Sequence, residues 1–121
     1  MPFAHLTLAT RDVAATAAFF EKTFGYNRIN QDGNIEITAA WLVMGEGQQL
    51  HILHVEDFEA SPFEREFGRH VALDWPEDDY AALKDRLTDH GAELIAPLRE
   101  TPFERFFFKD PNGYVFEVVP A

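Results

Sequence analysis

The sequence passes through the same order of elements twice, and this internal repeat limits the chain to few folds. Three pairs of residues mark the repeat, at spacings of 65, 66 and 66 residues: His5 and His70, Gly25 and Gly91, His51 and Glu117. In each half, an alternating strand pattern leads into a helical pattern that ends at a glycine, and three more strands follow. The repeat therefore predicts one α+β domain over residues 1–121, built from two βαβββ modules, 1 to about 57 and about 66 to 121.

The first module begins with a predicted strand over 3–10, on which alternation puts His5 on the more polar face. Asp12 is a suitable N-cap for a helix over about 13–24, and Gly25 supplies the stop. Three strands are predicted after it: around 28–29 ahead of an Asp32-Gly33 turn, over 39–44, and over 48–55. On the last of them His51 and His54 point to opposite faces, because they are three positions apart and side chains alternate along a strand.

A long connection over 56–69 separates the modules, because periodicity is lost there. The second module restarts with a strand from Arg69 to Asp74 that includes His70. A helix begins after Pro76, with Tyr80, Leu83 and Leu87 as its apolar stripe. A short strand over 92–98 and a hairpin around the turn 110–113 complete the chain. The aromatic residues of 56–69 and 103–108, with Trp41 and Trp75, are assigned to the core.

The final strand places one carboxylate, Glu117, inside an otherwise apolar run. Alternation sends Phe116 and Val118 to one face and Glu117 to the other. Burial of an unpaired carboxylate is costly, so Glu117 is expected to meet a cation, a metal ion or water. The alternative is an edge strand from which Glu117 faces solvent.

Four residues that can bind a metal ion fall at matching positions of the two modules: His5, His51, His70 and Glu117. If the modules pair about a pseudo-twofold axis, the concave face of a curved sheet collects all four. Such a set suits one divalent ion per chain, Zn²⁺, Ni²⁺, Co²⁺, Mn²⁺ or Fe²⁺. The chain has no cysteine, which argues against a closed structural zinc site. His51 is the least secure ligand, since the other three already form a two-histidine, one-carboxylate set.

Charge and hydropathy exclude several classes of partner. The formal net charge is −11 and no basic cluster offsets it, so binding to nucleic acid is not expected. No apolar run approaches the roughly 18 residues of a membrane span. The N-terminus lacks the basic and apolar regions of a signal peptide, which predicts a cytoplasmic protein.

Four stretches carry a resemblance that covers nearly the whole chain: HLTLATRDV at 5–13, FFEKTFGY at 19–26, HVAL at 70–73 and FKDPNGYVFEV at 108–118. They resemble the vicinal oxygen chelate superfamily, which includes glyoxalase I, bleomycin-resistance proteins, fosfomycin-resistance thiol transferases and extradiol dioxygenases. The resemblance implies paired βαβββ modules in a curved, half-open, barrel-like mixed sheet around a metal-binding cleft. It also implies a metal at His5, His51, His70 and Glu117, and a homodimer.

The function implied by the resemblance is that of a metal-dependent, glyoxalase-like lyase or isomerase acting on a small oxygen-chelating metabolite. Glu117 would be both a ligand and the candidate catalytic base. His51 stands where glyoxalase-like members typically have Glu, which argues against glutathione-dependent glyoxalase activity. The first alternative is a bleomycin-resistance-like protein that binds a drug without catalysis. The second is an Fe(II) extradiol dioxygenase or a fosfomycin-type thiol transferase.

Overall fold

The computed structural model describes residues 3–29 and 39–121, and each half of the chain follows the predicted order of elements. The chain divides into two compact units, Met1–Phe58 and Glu59–Ala121. The first unit contains β1 (His5–Thr10), α1 (Val13–Thr23), β2 (Asn27–Ile29), β3 (Ala39–Gly45) and β4 (Gln48–His54). The second contains β5 (Val71–Trp75), a 3-10 turn (Glu77–Asp79), α2 (Tyr80–Asp89), β6 (Glu93–Ile95), β7 (Phe106–Lys109) and β8 (Val115–Pro120). The predicted α+β class with two βαβββ modules is confirmed.

Each unit forms one four-stranded mixed sheet, and the two sheets have equivalent strand orders, β1-β4-β3-β2 and β5-β8-β7-β6. The first and last strands of each unit are parallel neighbours, and the other pairs are antiparallel. The register repeats as well, because Thr7 pairs with His51 and Ala72 pairs with Glu117. The repeat in the sequence is therefore a repeat of strand pairing. The predicted arrangement of the two modules around a common cleft stays a prediction.

Local sequence sets the ends of α1 as predicted. Asp12 is extended, with φ −139°, and its carboxylate accepts a 3.0 Å hydrogen bond from the backbone N–H of Ala15. Gly25 follows the helix with φ +72°, a conformation that costs a glycine little. The helix packs on β3 and β4 and buries Ala17 and Phe20 completely or nearly so.

The second helix is also positioned by its apolar stripe. Tyr80, Leu83 and Leu87 are buried, as predicted, and α2 packs on β6. The two α-helices have 11 and 10 residues, and neither is long and apolar enough to cross a membrane within the part of the chain that is described.

Some predicted boundaries are wrong. The strand predicted from Arg69 begins at Val71, because the backbone N–H of Arg69 bonds to Phe63 O in the connection and not to the sheet. His70 therefore lies one residue before β5. β6 spans Glu93–Ile95, shorter than the predicted 92–98, since the backbone N–H of Leu98 bonds to the Glu66 carboxylate. The predicted Asp32-Gly33 turn lies outside the described residues.

The edge-strand alternative for Glu117 is also wrong. β8 lies between β5 and β7, so it is an interior strand of its sheet. The Glu117 side chain is 13% exposed to solvent. A carboxylate in that position needs partners, as the sequence predicts.

The assignment of aromatic residues to the core is correct for some of them. The residues of β7, Phe106, Phe107 and Phe108, are buried. Trp41 is 36% exposed because it lies on the sheet face opposite that of buried Leu42. The connection and the segment before β7 expose three further rings, Phe63, Phe67 and Phe103.

The hairpin turn between β7 and β8 contains a buried acid, Asp110, with 3% exposure. Its Oδ1 accepts hydrogen bonds from the backbone N–H groups of Asn112 and Tyr114, at 3.0 and 2.9 Å. Gly113 has φ +98°, which this turn requires. Burial raises the pKa of Asp110 from 3.8 to about 6, although these hydrogen bonds oppose the rise.

The raised pKa predicts a pH dependence of stability. The folded state holds the Asp110 proton up to about pH 6 and the unfolded state only up to about pH 4, so the free energy of unfolding falls as pH rises between these values. A shift of about two pKa units corresponds to about 3 kcal/mol. Asp110→Asn retains an oxygen for both N–H groups and cannot ionise. Denaturant unfolding at pH values from 4 to 7 is expected to show that the free energy of unfolding falls more in the wild type than in Asp110→Asn. The same pH dependence in both proteins would contradict this role of Asp110.

Candidate functional site

The predicted ligands of the first unit belong to a cluster of stacked rings, the ring cluster, formed by His5, His51 and Trp41. The His51 ring stacks on His5 at 4.0 Å between centroids and on Trp41 at 4.3 Å, with interplanar angles of 13° and 9°. Strand pairing causes this arrangement, because Trp41 is the register partner of His51 across β3 and β4, and β1 flanks β4 on the other side. His51 therefore has an aromatic ring on each face.

The edge of the His51 ring contacts Gln49, whose Oε1 lies 2.8 Å from His51 Nε2. Partial burial, and secondarily the charge of His5, lowers the pKa of His51 below its ordinary value of 6.5. His51 is therefore neutral at pH 7, which is the state in which an imidazole binds a metal ion.

The predicted ligands of the second unit belong to a second cluster, the carboxylate cluster, formed by His70, Glu117, Arg105 and Glu66. His70 Nε2 lies 3.2 Å from Glu117 Oε1. His70 Nδ1 lies 3.2 Å from the carbonyl oxygen of Arg65. The carbonyl oxygen of Arg65 and the carboxylate oxygen of Glu117 both only accept hydrogen bonds, so a neutral ring, with one N–H, can donate to one of them and not to both.

The position of the hydrogen on a neutral His70 ring decides which contact is favourable. In neutral His70, a hydrogen on Nδ1 leaves a lone pair on Nε2, and that lone pair faces an oxygen of Glu117 that also only accepts. Two acceptors at 3.2 Å repel each other unless a cation lies between them. That cation is either a proton on His70 or a metal ion.

The spacing of these two atoms also fits a metal ion. Nitrogen and oxygen ligands lie about 2.0 to 2.2 Å from Zn²⁺, so two ligands of one ion at angles of about 90° to 110° are about 2.8 to 3.6 Å apart. The 3.2 Å between His70 Nε2 and Glu117 Oε1 lies in that range. The two residues thus fit adjacent positions around one divalent ion.

Arg105 satisfies the second oxygen of Glu117. Its Nη1 donates to Glu117 Oε2 at 3.1 Å, and its Nη2 donates to Glu66 Oε2 at 3.0 Å. The Arg105 side chain is 3% exposed, compared with 9% for Glu66 and 13% for Glu117. Burial alone would lower the pKa of Arg105, but these two carboxylates raise it above its ordinary value. The expected cation partner of Glu117 is therefore present, and it is an arginine.

Glu66 anchors this arginine to the loop that precedes β7. Its two oxygens accept hydrogen bonds from the backbone N–H groups of Leu98 and Arg99, at 2.6 and 3.0 Å. The Leu98 N–H is the main cause that lowers the pKa of Glu66, with further lowering from Arg99 and Arg105. Glu66 is therefore ionised over a wide pH range.

The structure brings the four predicted metal ligands together in two pairs: His5 with His51, and His70 with Glu117. Over residues 3–29 and 39–121, no group of three or more His, Asp or Glu side chains is arranged to hold a metal ion. The complete four-residue ligand set stays a prediction. His54, which was not counted as a ligand, ends β4 and is exposed.

Sequence reasoning missed Arg105 and Glu66. A usable signal for Arg105 was the hairpin register, since a turn at 110–113 pairs Phe107 with Glu117. Arg105 lies two residues before Phe107, on the same face and diagonal to Glu117. No comparable signal exists for Glu66, which lies in the connection without periodicity.

Comparison with known proteins gives consistent matches along most of the chain. A family model described as the Glyoxalase/Bleomycin resistance protein/Dioxygenase superfamily matches residues 3–118. Glyoxylase I 4 of Arabidopsis thaliana is 22% identical over 120 residues, which cover 94% of this chain and 67% of that protein.

Solved structures with the same fold include two resistance proteins and one glyoxalase-like protein. The fosfomycin resistance protein FosX from Mesorhizobium loti matches with a TM-score of 0.78 at 16% identity, over 98% of this chain and 90% of that one. A mutant FosX from Listeria monocytogenes was solved in complex with Mn(II) and 1S,2S-dihydroxypropylphosphonic acid. It matches with a TM-score of 0.76 at 19% identity, over 98% of this chain and 91% of that one. A possible glyoxalase from Bacillus cereus matches with a TM-score of 0.72 at 24% identity, over 98% of both chains. At these identities the likeness establishes the fold.

Proposed function

Because this chain belongs to the glyoxalase/bleomycin resistance protein/dioxygenase superfamily, we propose that it is a metal-dependent, glyoxalase-like enzyme of the lyase or isomerase type. Its proposed substrate is a small metabolite that chelates through two adjacent oxygens. The observation that carries the proposal is the approach of His70 Nε2 to Glu117 Oε1 at 3.2 Å, a spacing that two ligands of one divalent ion would have.

The proposed cofactor is one divalent ion per chain, held by His5, His51, His70 and Glu117. When bound, such an ion supplies Lewis acidity to the two oxygens of the substrate. With a hydrogen on Nδ1 that is donated to Arg65 O, His70 would present its Nε2 lone pair to the ion. The Mn(II) and the dihydroxy ligand of the FosX structure support both the ion and a substrate with adjacent oxygens.

Glu117 is the proposed base as well as a ligand. Its Oε2 is occupied by Arg105, so Oε1 would serve both roles in turn, as a ligand and, once displaced from the ion, as the base. The carboxylate has 13% exposure and lies beside Phe107, its register partner. A base in such partly dry surroundings is poorly hydrated, which strengthens its electrostatic interactions with a bound substrate.

The ring cluster favours one second candidate, a drug-binding protein without catalysis. The stack of His5, His51 and Trp41 offers flat surface, with Trp41 36% exposed. The chain also carries a formal net charge of −11, and the combination suits a flat cationic compound. In either case the proposed partner is a small molecule, and a homodimer remains part of the proposal.

Activity assays separate these candidates. Purified protein loaded with Ni²⁺, Co²⁺, Zn²⁺ or Mn²⁺ is expected to convert a member of a panel of dicarbonyls and epoxides. His70→Ala removes a ligand and is expected to lower turnover at least 100-fold. His54→Ala is the matched control and is expected to retain wild-type turnover.

Other outcomes would select the alternatives. Tight, metal-independent binding of a cationic drug without turnover would select sequestration. Oxygen consumption with a catechol would select a dioxygenase, and consumption of a thiol with an epoxide would select a thiol transferase. Tyr80 is a poor acid–base partner for a dioxygenase, since burial raises its pKa to about 12 and its hydroxyl donates to Glu104 O.

A further inference from the structure

Arg105 assigns different partners to the two oxygens of Glu117. Its Nη1 takes Oε2 at 3.1 Å, whereas Oε1 faces His70 Nε2 at 3.2 Å. On the other side, Arg105 Nη2 is held by Glu66 Oε2 and by the carbonyl oxygen of Arg99. The guanidinium also lies over the Phe107 ring, 5.2 Å from its centroid. It is therefore fixed from three directions.

This placement serves the two carboxylates at a local cost. Arg105 Nε is buried and has no hydrogen-bond partner among the described residues. A buried donor without a partner is unfavourable. The guanidinium group is nevertheless oriented so that each terminal nitrogen donates a hydrogen bond to one of the two carboxylates.

We infer that Arg105 is a positioning residue that limits Glu117 to one oxygen, Oε1, for a bound divalent cation. The inference rests on the proposed function, because it concerns the same cation. A carboxylate with two free oxygens can bind a metal ion through both of them. With Oε2 occupied by Arg105, the second position at the ion stays open for a substrate oxygen, as a catalytic site requires.

The sign of the effect separates this role from a merely structural one. The positive charge of Arg105 opposes binding of a cation nearby, and it also neutralises Glu66 and Glu117. Loss of the charge therefore favours the cation, and the freed Oε2 adds a ligand. If Arg105 were only structural, its removal would disorder Glu117 and weaken binding.

Titration with Co²⁺ tests the inference, with calorimetry for affinity and visible absorption for coordination. Arg105→Met is expected to bind Co²⁺ about tenfold more tightly than the wild type. Its absorption per bound Co²⁺ is expected to fall, because Co²⁺ absorbs less strongly as its coordination number rises. Arg105→Lys keeps the charge and is expected to restore the wild-type affinity and spectrum. Arg86→Met, at an exposed ion pair with Asp79, is the matched control.

If Arg105→Met does not fold, the double variant Arg105→Met with Glu66→Gln preserves the local net charge. The weaker absorption is then still expected, with a smaller gain in affinity. Equal or weaker binding by the folded variants with an unchanged spectrum would overturn the role of Arg105 and leave the proposed function standing. Failure of the wild type to bind Co²⁺ would overturn both.

Discussion

Glu117→Gln is expected to weaken binding of a divalent ion about 100-fold or more, because it removes the anionic member of the predicted ligand set. The contacts of Glu117 also predict how the amide is oriented. Its oxygen takes the place of Oε2 opposite Arg105 Nη1, and its NH₂ group then faces His70 Nε2. When the His70 hydrogen is on Nδ1, that NH₂ group can donate a hydrogen bond to Nε2.

The measurement is metal content after dialysis, together with calorimetric titration of the same divalent ion. His54→Ala is the matched control and is expected to bind like the wild type, since His54 lies at the exposed end of β4. The amide satisfies the partners of the carboxylate, so thermal unfolding without metal is expected to change little. Full metal content in Glu117→Gln would remove Glu117 from the site.

Arg105→Met is expected to lower the free energy of unfolding by about 3 kcal/mol in the absence of metal. The variant leaves two carboxylates, Glu66 and Glu117, close together without the cation that separates them. The estimate is at the low end for a broken buried ion pair, because Glu66 keeps two backbone N–H groups and Glu117 keeps His70.

Urea unfolding measures this loss, and a double-mutant cycle identifies its source. Adding Glu66→Gln to Arg105→Met is expected to recover part of the stability, because one of the two opposed charges is removed. Arg86→Met breaks an ion pair whose side chains are 35% and 44% exposed, and it is expected to change stability little. Equal losses for Arg105→Met and Arg86→Met would contradict the buried network.

The fold was predictable because each module carries its own local signals. Asp12 and Gly25 mark the ends of α1, and Gly113 marks the closing hairpin. The spacing between His51 and Glu117 also reflects a physical equivalence, since each is paired in register with the first strand of its own sheet. Alternation places His51 on the face opposite buried Leu50 and Ile52, and Glu117 on the face opposite buried Phe116 and Val118.

The carboxylate cluster was harder to predict, because it joins segments that have no periodic relation. Glu66 reaches Arg105 from the connection, and no spacing rule places it there. The contact of His70 Nδ1 depends on one carbonyl oxygen, that of Arg65, whose position is a tertiary result. The stacking of His51 between two rings required the order of three strands, which alternation within one strand does not give.

The most direct test of the proposed metal site is anomalous diffraction at the cobalt absorption edge, from crystals of the wild type grown with Co²⁺. We predict one anomalous peak per chain, bonded to His70 Nε2 and to a single oxygen of Glu117, with Arg105 still on the other oxygen. Crystals that lack a peak beside these two residues, or that carry Co²⁺ only elsewhere, would contradict the proposed site.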